Sequence, residues 1–432
     1  MTGGKATAAP LSMPAAAQQQ GLPYGLLGFA LAFVALPLYV QLPAFYADRL
    51  SLNQIGVLLL LARLGDALID PWLGGLCDRW LALPAPALFL RLGAAAITLA
   101  AAFWALFHPP AASEGLLLLW CAVGLLFCYL SFSLLSVCHQ AWAARLGGGV
   151  GPQARLSAWR EGLALAGVLC ASLLPGWLGF GGSAAVLSLA LALGLLGLAR
   201  CASPCGTATG EPIDAWLPWR TPGFKSLLAV FLLNGIAAAI PATLLLFFVR
   251  DRLQTPAAEG LYLACYFLAA AASLPLWLRT TRRLGPERSW GLGMLAAALS
   301  FIWAASLPAG AQTGFVLVCL ASGLALGADL CIAPALLARL LQAADLQGAA
   351  EGRFFGWWNF ASKLNLALAA GLALPLLQSL GYRPGQADAD SQSALAWAYC
   401  VLPCLLKLAA AGLLYLLLIR PALDRSGSEP PR

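Results

Sequence analysis

The chain has 432 residues, of which 61% are hydrophobic and only 10% charged, with a mean hydropathy of +0.82. A soluble domain carries roughly 25% charged residues, so this composition excludes a soluble globular enzyme. The abundance of Leu, Ala and aromatics excludes a disordered chain. The net charge of +7 is read as orientation signal in loops and not as a nucleic-acid surface. Twelve cysteines occur without a CxxC pair and with only two histidines, His108 and His139. No metal site or cofactor is expected from that set.

Residues 1–21 are Ala/Gln/Pro-rich and read as a disordered tail without a signal-peptide pattern. A membrane helix needs about 20 mostly apolar residues. Twelve stretches qualify, near 22–46, 53–75, 84–107, 114–142, 155–178, 182–200, 223–249, 256–278, 289–307, 312–340, 353–379 and 393–420. The polar segment 201–222 splits them into six-helix bundles at 22–200 and 223–420, followed by a tail at 421–432. If both termini are cytoplasmic, inside segments hold sixteen Lys/Arg and outside segments four, as the positive-inside rule requires. The expectation is an all-α, multi-pass protein of a bacterial-type plasma membrane, with the substrate cavity of a transporter between the bundles. The 6+6 unit is expected to function as a monomer.

An ionisable group inside a membrane helix costs at least ~2.5–3.5 kcal/mol and commonly marks an ion or substrate path. The second stretch, LLLLARLGDALIDPWLGG, holds Arg63, Asp66 and Asp70. The two acids are four residues apart and share a helix face. Two readings stand: they bind a coupling Na⁺ or H⁺, or they only neutralise arginines. Lys363 lies ten residues into the eleventh stretch and needs a carboxylate, with Asp66 and Asp70 the natural partners, unless it snorkels to the interface. Arg160 and Glu161 are adjacent and therefore expected to face different ways. Arg160 either enters the cavity and bonds a polar solute, or pairs with Asp78. Tyr129, Trp358 and Asn359 are candidates for the substrate, though Trp357 and Trp358 also suit interfacial anchors and Asn359, like Asn234 and Asn365, suits a helix tie. Asp329 and Lys407 are weaker candidates for pairing. Gly74, Gly75, Asp78 and Arg79 read as a tight cytoplasmic turn, either a gate locked by an Asp/Arg pair or a plain stop-transfer turn. No GxxxxGK[ST], HExxH or GxSxG occurs, so neither an ATP-driven pump nor an enzyme is expected.

The run RLGDALIDPWLGGLCDRW, residues 63–80, resembles the helix-two signature of the glycoside–pentoside–hexuronide:cation symporters of the major facilitator superfamily. EGRFFGWWNFASKLNLALAAG (351–371) is similar to their helix eleven, and RLSAWREGLALAG (155–167) to their helix-five arginine segment. The resemblance implies that Asp66 and Asp70 bind Na⁺, Li⁺ or H⁺, that Lys363 lies beside them, and that Arg160 contacts a sugar. The implied activity is cation-coupled symport of a small polar solute by alternating access. Melibiose-type members carry Asn before the second aspartate; Ile69 stands here, which favours H⁺ over Na⁺. The galactoside carriers' acidic residues in helices one and four are absent, and the superfamily also contains lysolipid carriers, so an amphipathic solute is the alternative.

Overall fold

A computed structural model describes residues 20–46, 49–111, 113–204, 214–382 and 389–421. Among these residues the secondary structure is helical throughout. The N-terminal tail, part of the 201–222 linker and the C-terminal tail lie outside the described residues.

Twelve long helices follow the apolar stretches. Helix α1 spans 21–46 and is broken by a π turn at Pro37–Gln41. Helix α2 is Leu52–Leu81, opened by a capping box in which Ser51 Oγ accepts the Gln54 N–H at 3.3 Å and Gln54 Oε1 accepts the Ser51 N–H at 2.9 Å. Helices α3 and α4 are Ala85–Leu106 and Glu114–Arg145. The segment Val150–Ala199 contains α5 (150–178) and α6 (180–199). A single turn, Leu217–Arg220, precedes the second half. There follow α7 (Phe224–Arg252), α8 (Pro256–Leu284), α9 (Pro286–Ala304), α10 (Gln312–Ala343), α11 (Glu351–Ser379) and α12 (Ser391–Ile419). Eight of the described helical segments are long and apolar enough to cross a membrane by composition alone. That set takes α5 and α6 as one and omits three others: α1, which is interrupted; α2, which carries five charges; and α9, whose first turn holds Glu287 and Arg288.

The fifth and sixth stretches divide at Gly179, which alone changes direction, at φ 64° and ψ −178°, a conformation that only glycine adopts readily. The structure corrects one expectation. Gly74, Gly75, Asp78 and Arg79 are not in a turn; α2 continues through them to Leu81. The glycines serve helix–helix contact instead. A Cβ on Gly74 would overlap the Gly352 carbonyl, and one on Gly352 the Gly74 carbonyl. Small residues allow this backbone approach.

In the first half α1 packs on α5 and α6, α2 on α4, and α3 on α4 and α6; in the second, α8 and α9 pack on α10, and α7 on α11 and α12. Among the described residues the main contacts between the halves are α2–α11, α4–α11, α5–α8 and α5–α10. With an even number of crossings, the first and last helices end on the same side, called here the terminal side.

Candidate functional site

The antiparallel pair α2 and α11 carries two polar clusters. Asp66 and Asp78 are twelve residues apart on α2, as are Glu351 and Lys363 on α11. At 1.5 Å per residue each interval is ~18 Å. The matched spacing brings the four groups together two by two.

At mid-helix, Lys363 Nζ lies 2.7 Å from Asp66 and 2.8 Å from Asp70, and donates to Ser133 Oγ of α4 at 2.8 Å. Ser133 in turn donates to Asp66 Oδ1 at 2.6 Å. The carboxylates are 7% and 0% exposed. Asp70 Oδ1, fully buried, has no hydrogen-bond partner among the described residues. One ammonium therefore answers two buried carboxylates, with the Arg63 guanidinium one turn before Asp66 on the same helix. A cation or a proton taken up by the carboxylates competes with the ammonium in such a set. Ser133 was visible in the sequence only as one of several α4 hydroxyls. Arg63, one turn before Asp66, is directed to Tyr129, which is buried.

At the terminal side, Arg145 at the end of α4 is 2% exposed and clasps both Asp78 of α2 and Glu351 of α11, each at 3.0 Å. Asp78 also accepts the backbone N–H groups of Gly352 at 2.7 Å and Arg353 at 3.0 Å, where α11 begins. Glu351 accepts the Gly348 N–H. The expected Asp78–Arg79 lock is thus replaced: Arg79, next along α2, is exposed, and Arg145 takes its part. Between the two clusters, Gln140 Nε2 donates to Asn359 Oδ1 at 2.9 Å, again joining the halves. The structure thus places Asn359 in a bridge between bundles.

Two further expectations are revised. Arg160 does not pair with Asp78 but with its neighbour Glu161, Nε to Oε1 at 3.0 Å. Adjacency sets the Cβ directions apart, yet a guanidinium on a long stem folds back across that gap. Trp358 is 3% exposed and stacked on Phe231 of α7, with ring centroids 3.8 Å apart. Trp357 meets Trp216 and Trp219 of the linker turn.

A second buried ion pair lies inside the second half. Asp329 of α10 accepts from Asn234 of α7 at 2.9 Å, Trp290 of α9 at 2.7 Å and Lys407 of α12 at 2.9 Å. Lys407 also donates to Asn234 Oδ1 at 2.7 Å. Four helices meet there with their polar groups satisfied. No group of three or more metal-ligating side chains occurs among the described residues.

Known proteins place this architecture. The fold is similar to that of a bacterial homologue of the iron transporter ferroportin in an outward-facing state, with TM-score 0.70, 15% identity, and coverage of 93% of this chain and 98% of the other. It is also similar to the E. coli fucose:proton symporter, with TM-score 0.63, 16% identity, and coverage of 92% and 99%. At these identities the likeness is one of fold. No curated protein matches the sequence significantly. The family model described as MFS/sugar transport protein matches residues 22–201 and 219–420. With twelve helices in two bundles and the model covering both, the chain belongs to the MFS/sugar transport protein family, a multi-pass membrane transporter and not an enzyme.

Proposed function

We propose that this transporter is a cation-coupled symporter of a small polar solute of the sugar or glycoside class, driven by H⁺ or Na⁺ at Asp66 and Asp70. The observation that carries the reading is the bridge from Lys363 to both aspartates and Ser133, since it pairs two buried carboxylates able to take up a cation and ties the halves together. A cation or proton taken up by the carboxylates competes with the Lys363 ammonium. Its arrival loosens α11 from α2 and α4, so ion binding and bundle movement share one free-energy difference. Ile69 beside Asp70 adds no oxygen ligand, which favours H⁺. Arg160 and Arg63 are proposed to face the solute, with the buried Tyr129 steadying Arg63 from behind, while Gly74, Asp78 and Arg145 form the gate. With both termini cytoplasmic, as the basic residues favour, the closed gate is the cytoplasmic one and the conformation faces outward.

The test is ion-driven uptake in proteoliposomes containing the full chain. Candidate solutes are first selected by thermal unfolding with and without Na⁺ at two pH values. A ligand at 100 times its Kd adds about 2.7 kcal/mol. Asp66→Asn and Asp70→Asn are expected to abolish gradient-driven accumulation while leaving the helical circular-dichroism signal intact. Normal accumulation in both variants refutes the assignment.

A further inference from the structure

The second half contains a chamber of about 110 Å³ between α7, α8 and α10, backed by α9 and α12. Its walls are aromatic: Tyr262, Tyr266, Phe301, Phe315 and Tyr399. They brace one another. Tyr262 and Phe315 meet edge to face at 4.8 Å, Phe301 and Tyr399 likewise at 6.0 Å, and the Tyr262 hydroxyl is tied to Thr255 Oγ1 at 2.7 Å. The room exists because α7 presents Ala238 and Ala242 to it, where larger side chains would fill the space. Ala242 of α7 and Leu263 of α8 are exposed and mark a mouth between these helices. Helix α8 also packs against α5 of the other half, so the mouth lies beside the interface of the two bundles.

The buried pair Asp329–Lys407 lies below this chamber. Asn234 is one turn from Ala238 on α7, and Asp329 is seven residues, ~10 Å, beyond Ser322 on α10. That cluster is internally satisfied, with Asp329 accepting three bonds and Lys407 donating two. It offers no uncompensated charge to a ligand. The chamber therefore favours an uncharged, apolar group, and its size admits no more than a single ring: a sealed engineered apolar cavity of about 150 Å³ takes one benzene, and this one, of about 110 Å³, is open at its mouth. Walls that are already locked cost little further ordering when a ring enters.

We propose that this chamber is a subsite for a ring-sized apolar group of the transported solute, such as the aglycone of a glycoside, whose polar part remains in the cleft between the bundles. The inference rests on the transporter reading above and adds a substrate class to it: amphipathic glycosides over free sugars.

The experiment measures the concentration giving half-maximal thermal stabilisation of the purified full chain. The probes are methyl and phenyl glycosides of galactose, glucose and xylose, and benzyl alcohol alone. Burying one ring is expected to lower that concentration at least tenfold for the phenyl over the methyl glycoside of whichever sugar binds. Ala242→Trp at the exposed mouth, and independently Ala238→Leu within, should remove this advantage and leave the methyl glycoside unchanged. If no glycoside registers, but benzyl alcohol stabilises the wild type and neither filled variant, the chamber stands and the sugar reading falls. Equal potency of phenyl and methyl glycosides overturns the chamber. So does a phenyl advantage that survives in both filled variants, or a wild type that responds to none of the probes.

Discussion

Replacing Arg145 by Met removes the only cation among the described residues that contacts both Asp78 and Glu351 while keeping a long apolar stem. The two acids are 6% and 0% exposed, so water screens them little. Breaking a buried ion pair by deleting one partner costs ~3–5 kcal/mol. Asp78 keeps the N–H groups of Gly352 and Arg353, and Glu351 keeps that of Gly348, which places the cost at the lower end, ~3 kcal/mol. That cost falls on the closed gate alone, because an open gate hydrates both acids. The closed population is then expected to drop about a hundredfold relative to the open one, at ~1.4 kcal/mol per factor of ten. Spin labels at Arg79→Cys and Asp345→Cys, both exposed on the terminal side of opposite halves, report the separation by pulsed electron paramagnetic resonance. The wild type should give one short distance and Arg145→Met a dominant longer one. Adding Asp78→Asn and Glu351→Gln should restore the short distance, since a buried ionic group replaced as a whole is often neutral. An unchanged distance distribution in a folded Arg145→Met protein refutes the argument that this triad holds the gate.

Gly74→Ala drives a methyl into the Gly352 carbonyl; overpacking of ~1–3 kcal/mol should lengthen the same spin-label distance. Gly352→Ala should do so too, and the two effects should be less than additive because they spoil one contact. Lys407→Met strands Asp329 and should destabilise the fold by ~3–5 kcal/mol in thermal unfolding, whereas Lys407→Met with Asp329→Leu should recover most of the loss; a double variant as unstable as the single one would count against a structural ion pair. Gln140→Leu and Asn359→Leu each remove the neutral bond between the halves, worth ~1 kcal/mol; Gln140→Leu also removes its bond to Ser136 within α4. They should shift the conformational equilibrium about fivefold and move the apparent solute Kd by no more than that factor; a much larger loss of solute affinity in Asn359→Leu would return that residue to the binding site.

The residues legible in the sequence were those that violate their surroundings. Asp66, Asp70 and Lys363 stand out because a charge in an apolar run demands a partner, and the i, i+4 spacing places both acids on one face. Arg145 and Glu351 gave no such signal. Each sits at a helix end, where a charge is ordinary, and their meeting depends on the approach of α4 and α11, more than 200 positions apart. Gly74 is ambiguous in sequence, since glycine marks both turns and close helix packing, and only the partner helix decides between them. The Arg160–Glu161 pair shows the limit of face counting for long side chains. Asp329 and Lys407 were seen singly, but their pairing through Asn234 and Trp290 requires four helices to be brought together.

The equal spacing on α2 and α11 makes the pair a lever. Held at the terminal side by Arg145 and the Gly74–Gly352 contact, α11 can tilt by about 10° about that fulcrum and move Lys363 by about 3 Å over ~18 Å of helix. That displacement alone exceeds what a hydrogen bond tolerates, so the ammonium must leave one of its two carboxylates. Conversely, while Lys363 touches both, tilting is blocked and the gate triad stays in register. A substrate needs no contact with the gate to influence it; occupying the space into which α11 would swing is enough.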